Sequence, residues 1–203
     1  MTRIALLLCL LLLACGAEPV PAPAANVPPE RIGTAVFAGG CFWCTEADFD
    51  EVPGVIDAVS GYTGGRSRNP TYEQVSAGGT GHYEAVRVRY DRARVSYAAL
   101  ARHFFRTVDP TDAGGQFCDR GESYRTALFV SSPEERREAE AAKAEADRAL
   151  EAPVVTPILD HAPFYEAERY HQDYKRRNPI RYTYYRTRCG RDARLRELWG
   201  ATG

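Results

Sequence analysis

The chain has 203 residues, of which 44% are apolar and 26% charged, enough for one globular domain with a substantial core. Its formal net charge of −1 gives no electrostatic reason to expect nucleic acid as a partner. Arginine carries almost all of the positive charge, Lys143 and Lys175 being the two lysines.

At the N-terminus, Thr2 and Arg3 precede an apolar run from Ile4 to Leu13, too short to remain as a bilayer-spanning anchor. The run ends in "LLAC", and a small residue before Cys15 resembles the lipobox of bacterial lipoproteins. Residues 1–14 are therefore expected to be a lipoprotein-type signal peptide, with an ordinary cleaved signal as the rival reading. Lipidation of Cys15 would hold the protein on the periplasmic side of the cell envelope. Gly16 in place of Asp points to the outer membrane, if the cell has one. Residues 16–30 contain five prolines and read as an extended tether, so residues 31–203 form the folded domain. Removal of Met1 leaves a mature chain without methionine.

Within the domain, "TAVFAGG" (34–40) predicts a strand entering a glycine turn, with a helix following and Cys41 at its N-terminus. "GVIDAVSGY" predicts a second strand and "TGGRSRNPTY" a loop. "HYEAVRVRY" (82–90) alternates as a strand, with Glu84, Val86, Val88 and Tyr90 on one face. Ser96 begins a helix whose face carries Leu100, Phe104 and Val108. "SYRTALFV" is a strand that starts near Tyr124. Ser132, Pro133 and Glu135 mark a helix N-terminus with a capping box. "PVVTPI" (153–158) is expected to be the last strand, and the aromatic, arginine-rich tail from Phe164 has no clear assignment. The sum is a mixed α/β domain, helices packed on one face of a sheet.

Four cysteines remain in the domain: Cys41, Cys44, Cys118 and Cys189. A cysteine at a helix start meets unpaired N–H groups and the positive dipole end, which favours the Cys41 thiolate over Cys44 one turn further in. As half of a zinc site the Cys41/Cys44 pair lacks a second close pair, so no metal is expected. As a disulfide-exchange site it has an unusually bulky Phe-Trp insert. A carboxyl on the apolar face of a strand, Glu84, would be held protonated by burial and would serve as an acid. Alternation alone leaves open a head that reaches solvent. Tyr72, Tyr124 and Asp119 are not diagnostic singly.

Taken in order, "AGGCFWCTEADFDEVPGVIDAVSGYTGG", "NPTYEQVSAGGTGHYEAVRVRYD", "DPTDAGGQFCDRGESYRTALF" and "YHQDYKRRNPIRYTYYRTRCGRDARLRELWG" resemble A-type peptide methionine sulfoxide reductases from Thr34 to Gly200. The resemblance implies a two-layer α/β (α+β) sandwich on a ferredoxin-like core and the S epimer of methionine sulfoxide as substrate. It places the nucleophile on Cys41, the acid on Glu84, supporting hydroxyls on Tyr72 and Tyr124, and a positioning carboxylate on Asp119. Phe42 and Trp43 would form the methyl pocket, while "YHQDY" (170–174) would pack around it. Sulfoxide oxygen must be protonated for the sulfur to become a good electrophile, so a nucleophilic thiol beside a neutral acid suits the reaction. Cys41 would end as a sulfenic acid, which a second thiol converts to a disulfide. Cys189 is favoured for that resolving role over Cys44, with Cys118 third and expected to be buried and inert. The implied system has no bound cofactor and uses thioredoxin or a thioredoxin-like dithiol. It acts as a monomer on oxidised exported proteins or peptides. A lipid-anchored disulfide exchanger using Cys41 and Cys44 is the rival from another class.

Overall fold

The computed structural model describes residues 27–200; the expected signal peptide, Cys15 and most of the tether lie outside them. In chain order come β1 (Ile32–Gly39), α1 (Phe42–Asp50), β2 (Val55–Thr63), α2 (Tyr72–Ser76), β3 (Tyr83–Asp91) and α3 (Tyr97–Thr107). A small hairpin, β4 (Gly115–Gln116) and β5 (Asp119–Arg120), leads to β6 (Thr126–Val130) and α4 (Pro133–Ala149). The tail adds β7 (Ile158–Asp160), β8 (Tyr165–Glu166), α5 (Tyr174–Arg177), α6 (Pro179–Arg188) and α7 (Arg191–Trp199).

Six strands form one sheet in the order β7-β6-β1-β3-β2-β8, antiparallel except where β7 lies parallel to β6. Its centre, β6-β1-β3-β2 with α1 and α3 as crossovers, is the βαββαβ arrangement of a ferredoxin-like core. Phe37, Val86, Val88 and Tyr90 join Phe49, Leu100 and Phe104 in the main core between sheet and helices. Tyr83, Ala85, Ala127 and Phe129 form a smaller cluster on the other face, under Leu159, Ala162 and Phe164. Burial of both faces explains why β1 reads as a continuous apolar run.

Local signals were legible where side chains satisfy helix ends. Ser96 Oγ accepts from Ala99 N–H, and Ser132 Oγ from Glu135 N–H. The Glu135 carboxyl returns to Ser131 N–H at 2.7 Å, one residue earlier than a capping box requires. Three expectations are corrected. The strand placed at 153–158 begins only at Ile158, because Pro153 and Pro157 lack ladder donors and Val155 N–H donates instead to Pro110 C=O. Tyr124 precedes β6, in a 3₁₀ turn over Glu122–Tyr124. Tyr72 starts a short helix, capped reciprocally by Thr71 and Gln74.

The tail is tied to the rest through polar groups. Gln172 bonds both to Ser60 N–H and to Ser60 C=O, continuing the edge of β2. Buried Glu46 accepts from Ser60 O–H and from Asp173 N–H, joining α1 to the same segment. Burial outweighs those two bonds and pushes the Glu46 pKa up to about 7 from an ordinary 4.5. A carboxyl with a raised folded-state pKa binds more protons folded than unfolded, so its contribution is lost as pH rises through that window. The melting temperature of the wild-type domain should therefore fall between pH 5 and 8. Glu46→Gln, which mimics the neutral acid, should flatten that slope and melt higher at pH 8 by scanning calorimetry; an unchanged slope would contradict the assignment.

Candidate active site

The site is built where β1 turns into α1. Gly40 has φ +80°, and a Cβ there would lie 2.4 Å from Gln116 Cβ, so this turn requires glycine. It delivers Cys41 as the N-cap of α1, 6% exposed and without a side-chain capping bond of its own. The first helical N–H, that of Phe42, donates at 3.0 Å to Glu84 Oε2, reaching across from β3. Glu84 is 3% exposed, so its carboxyl faces the core and not solvent. Burial is the main cause that pushes its pKa up to about 8; the Phe42 bond opposes this, and the charges of Asp119 and Cys44 add to it. The acid is thus largely neutral at pH 7, with one oxygen accepting from the helix and the other free to carry a proton.

Three phenols border this acid. Tyr72 and Tyr124 are half-buried, and burial followed by the Glu84 charge raises both pKa values. Tyr185, from α6, donates to Asp119, and the nearby Cys41 and Asp119 charges, after burial, raise its pKa. The carboxyl of Asp119 is raised by burial and held back by that bond and by Arg191. The aromatic wall comes from Phe42, Trp43 and His171. Trp43 stacks on Tyr174 with ring centroids 3.7 Å apart, meets Tyr185 edge-on, and donates its indole N–H to His171 Nδ1 at 3.0 Å. Phe42 lies 4.9 Å and Tyr72 4.5 Å from the same imidazole, between centroids. Burial lowers the His171 pKa; in the neutral ring that accepts from Trp43, Nε2 carries the hydrogen and makes no hydrogen bond among the described residues, with Glu168 Oε2 4.0 Å away. Sequence reasoning placed His171 and Tyr174 only as packing and missed Tyr185, whose location depends on the tail's path.

The thiols depart from expectation. Burial, then the neighbouring Cys44 thiol, pushes Cys41 well up, against the pull of the helix start. Cys44 is held lower by the hydrogen bond from Cys41, aided by Arg191 against its own burial. Cys189, favoured as the partner of Cys41, is joined instead to Cys118, because α6 ends over the β4–β5 turn. Cys118 is exposed and bonded, not buried and inert. Behind α1, Arg191 is 2% exposed; it donates to Gly39 C=O, Thr107 C=O and Asp48, which also binds Arg186. A cavity of about 640 Å³ opens beyond these ion pairs, between α1, α3 and α7, but no thiol lines it. The Cys118, Asp119 and Cys189 donors lie close enough for a metal, yet the two sulfurs are spent on each other.

A family model described as peptide methionine sulfoxide reductase matches residues 33–202. Peptide methionine sulfoxide reductase MsrA 2 of Caulobacter vibrioides is 54% identical over 180 residues, covering 88% of this chain and 90% of its own. The protein of the same description from Rhizobium meliloti is 53% identical over 178 residues, covering 88% and 87%. The solved methionine sulfoxide reductase A of Corynebacterium diphtheriae superposes with a TM-score of 0.67 at 31% identity, over 74% of this chain and 76% of that one. Sequence and fold agree across nearly all of the described domain, and the chain belongs to the peptide methionine sulfoxide reductase family.

Proposed function

We propose that this methionine sulfoxide reductase acts on the S epimer, free or in exported proteins, through Cys41 with Glu84 as the acid. The observation that carries the reading is the buried, neutral Glu84 carboxyl beside the helix start that presents Cys41. Sulfoxide oxygen, set between Glu84 and the hydroxyls of Tyr72 and Tyr124, accepts the Glu84 proton as Cys41 Sγ attacks sulfur. The Cys41 proton is taken up by the Glu84 carboxylate left behind, which restores the acid. Methionine leaves as the thioether and Cys41 keeps the oxygen as sulfenic acid. Phe42 and Trp43, the latter oriented by His171 and Tyr174, receive the S-methyl, and Asp119, held by Tyr185, orients the substrate backbone.

Burial and spacing set the order of the thiols. Cys44, buried with Cys41 and one helical turn further into α1, attacks the sulfenic acid, water leaves, and a Cys41–Cys44 disulfide forms. Cys189 lies one helical turn beyond Tyr185, and Cys118 precedes Asp119, so the Tyr185–Asp119 bond brings the second pair to the edge of the site. Exchange then moves the disulfide outward to Cys118–Cys189, the bond seen here. Cys189 thereby resolves at the second stage, where the resemblance placed it at the first. No bound cofactor takes part; a thioredoxin-like dithiol closes the cycle for a monomer tethered through Cys15 to the envelope, a reading supported by the apolar N-terminal run and "LLAC".

Glu84→Gln keeps an acceptor for Phe42 N–H but cannot give a proton. Its kcat/KM should drop by roughly 10²–10³-fold. In the wild-type enzyme the rate should fall as pH rises past about 8, where Glu84 ionises. A fully active Glu84→Gln enzyme would sink this mechanism. In a single anaerobic turnover, Cys44→Ser should still release one methionine while its Cys41 sulfenic acid survives long enough to be trapped by dimedone. Loss of two thiols at the wild-type rate in that variant, with nothing trapped, would show direct resolution by Cys118 or Cys189.

A further inference from the structure

The Cys118–Cys189 disulfide is presented unevenly: Cys118 is exposed and Cys189 half-buried. It sits at the end of α6, whose outward face carries Ile180, 85% exposed, and Tyr184, 68% exposed, one turn apart. From Tyr174 to Arg191 there are seven basic residues and no Asp or Glu, in a chain of formal charge −1. Lys175, Arg176, Arg186 and Arg191 are engaged by carboxylates, whereas Arg181 and Arg188 are exposed and in no ion pair among the described residues. The helix that ends at this disulfide thus carries exposed apolar side chains together with guanidinium groups in no ion pair among the described residues.

Resting on the outward relay above, we propose that the external reductant is an acidic-faced dithiol protein that docks on this face of α6 and attacks Cys118. The accessible sulfur is the one an incoming thiolate reaches, so a bond forms between the reductant and Cys118 Sγ while the Cys118–Cys189 bond breaks. Cys189 leaves as the thiolate. The reductant's second thiol then attacks its own sulfur in the mixed disulfide, freeing Cys118 as a thiol. The reductant ends as a disulfide, and two electrons and two protons have entered the enzyme. Ile180 and Tyr184 supply the apolar contact, while Arg181 and Arg188 select for acidic surface and speed the encounter.

The experiment uses the mature enzyme, first reduced and then taken through one turnover with a methionine sulfoxide peptide, its disulfides mapped by mass spectrometry. A thioredoxin with its second active-site cysteine changed to serine is then added, and free thiols are alkylated at once. The expected adduct joins thioredoxin to Cys118 and leaves Cys189 alkylated. Thioredoxin on Cys189 with Cys118 alkylated overturns the proposal while leaving the relay intact. If no Cys118–Cys189 bond forms in the turnover, the relay fails and the proposal with it. In steady state, Arg181→Glu/Arg188→Glu and Ile180→Ser/Tyr184→Ser should each lower kcat/KM for thioredoxin at least tenfold, with dithiothreitol-driven turnover unchanged. Equal loss with both reductants, or no loss with thioredoxin, overturns the docking. So does a charge reversal that only weakens binding to phosphatidylglycerol vesicles, which would assign the face to the membrane.

Discussion

One hydrogen bond organises the chemistry: Phe42 N–H to Glu84 Oε2, between the start of α1 and the middle sheet. A helix start has N–H groups without partners, and Cys41 supplies no capping oxygen, so the carboxyl from β3 takes that place. The same contact buries the carboxyl beside the residue that follows the glycine turn, Cys41. An N-terminal dipole and a donated N–H both favour a carboxylate, but the loss of solvent wins, and the group stays neutral near pH 7. The helix start therefore holds an acid that can still give its proton away.

The tail completes this arrangement from outside the ferredoxin-like core. Gln172 and Glu46 fasten it to β2 and α1, and Arg191 fastens it behind the β1–α1 turn. Burial of a guanidinium is costly, and it is tolerated here because Asp48 and two backbone carbonyls surround it and Phe117 lies beneath it. With the tail so held, His171 and Tyr174 orient Trp43, and Tyr185 reaches both Asp119 and Cys41. Residues far apart in the chain, from Trp43 to Tyr185, thus share one small wall.

The four thiols divide by environment. Cys41 and Cys44 are both buried, where a sulfenic acid would be shielded from further oxidants. Cys118 and Cys189 lie toward solvent, where a protein-sized reductant has access. In the proposed relay this separation keeps the chemistry at Cys41 away from solvent while reducing equivalents arrive at the surface.

The alternation of β3, the glycines before Cys41 and the caps of α3 and α4 were readable because each depends on neighbours within a few residues. They sufficed for the α/β architecture, for Glu84 on the apolar face and for the family resemblance. Alternation could not say whether the Glu84 head turned to solvent, since that depends on α1 lying across it. The helix dipole that favours the Cys41 thiolate is a local feature, whereas the burial that opposes it and the Arg191 charge near Cys44 come from the fold. The tail gave no periodic signal: its short elements are held by long-range polar bonds, not by one apolar stripe. The residues by themselves determined which groups are available for the chemistry. Only the tertiary structure decided which are neutral, which thiols touch and which sulfur faces solvent, because each of those depends on what excludes water around it.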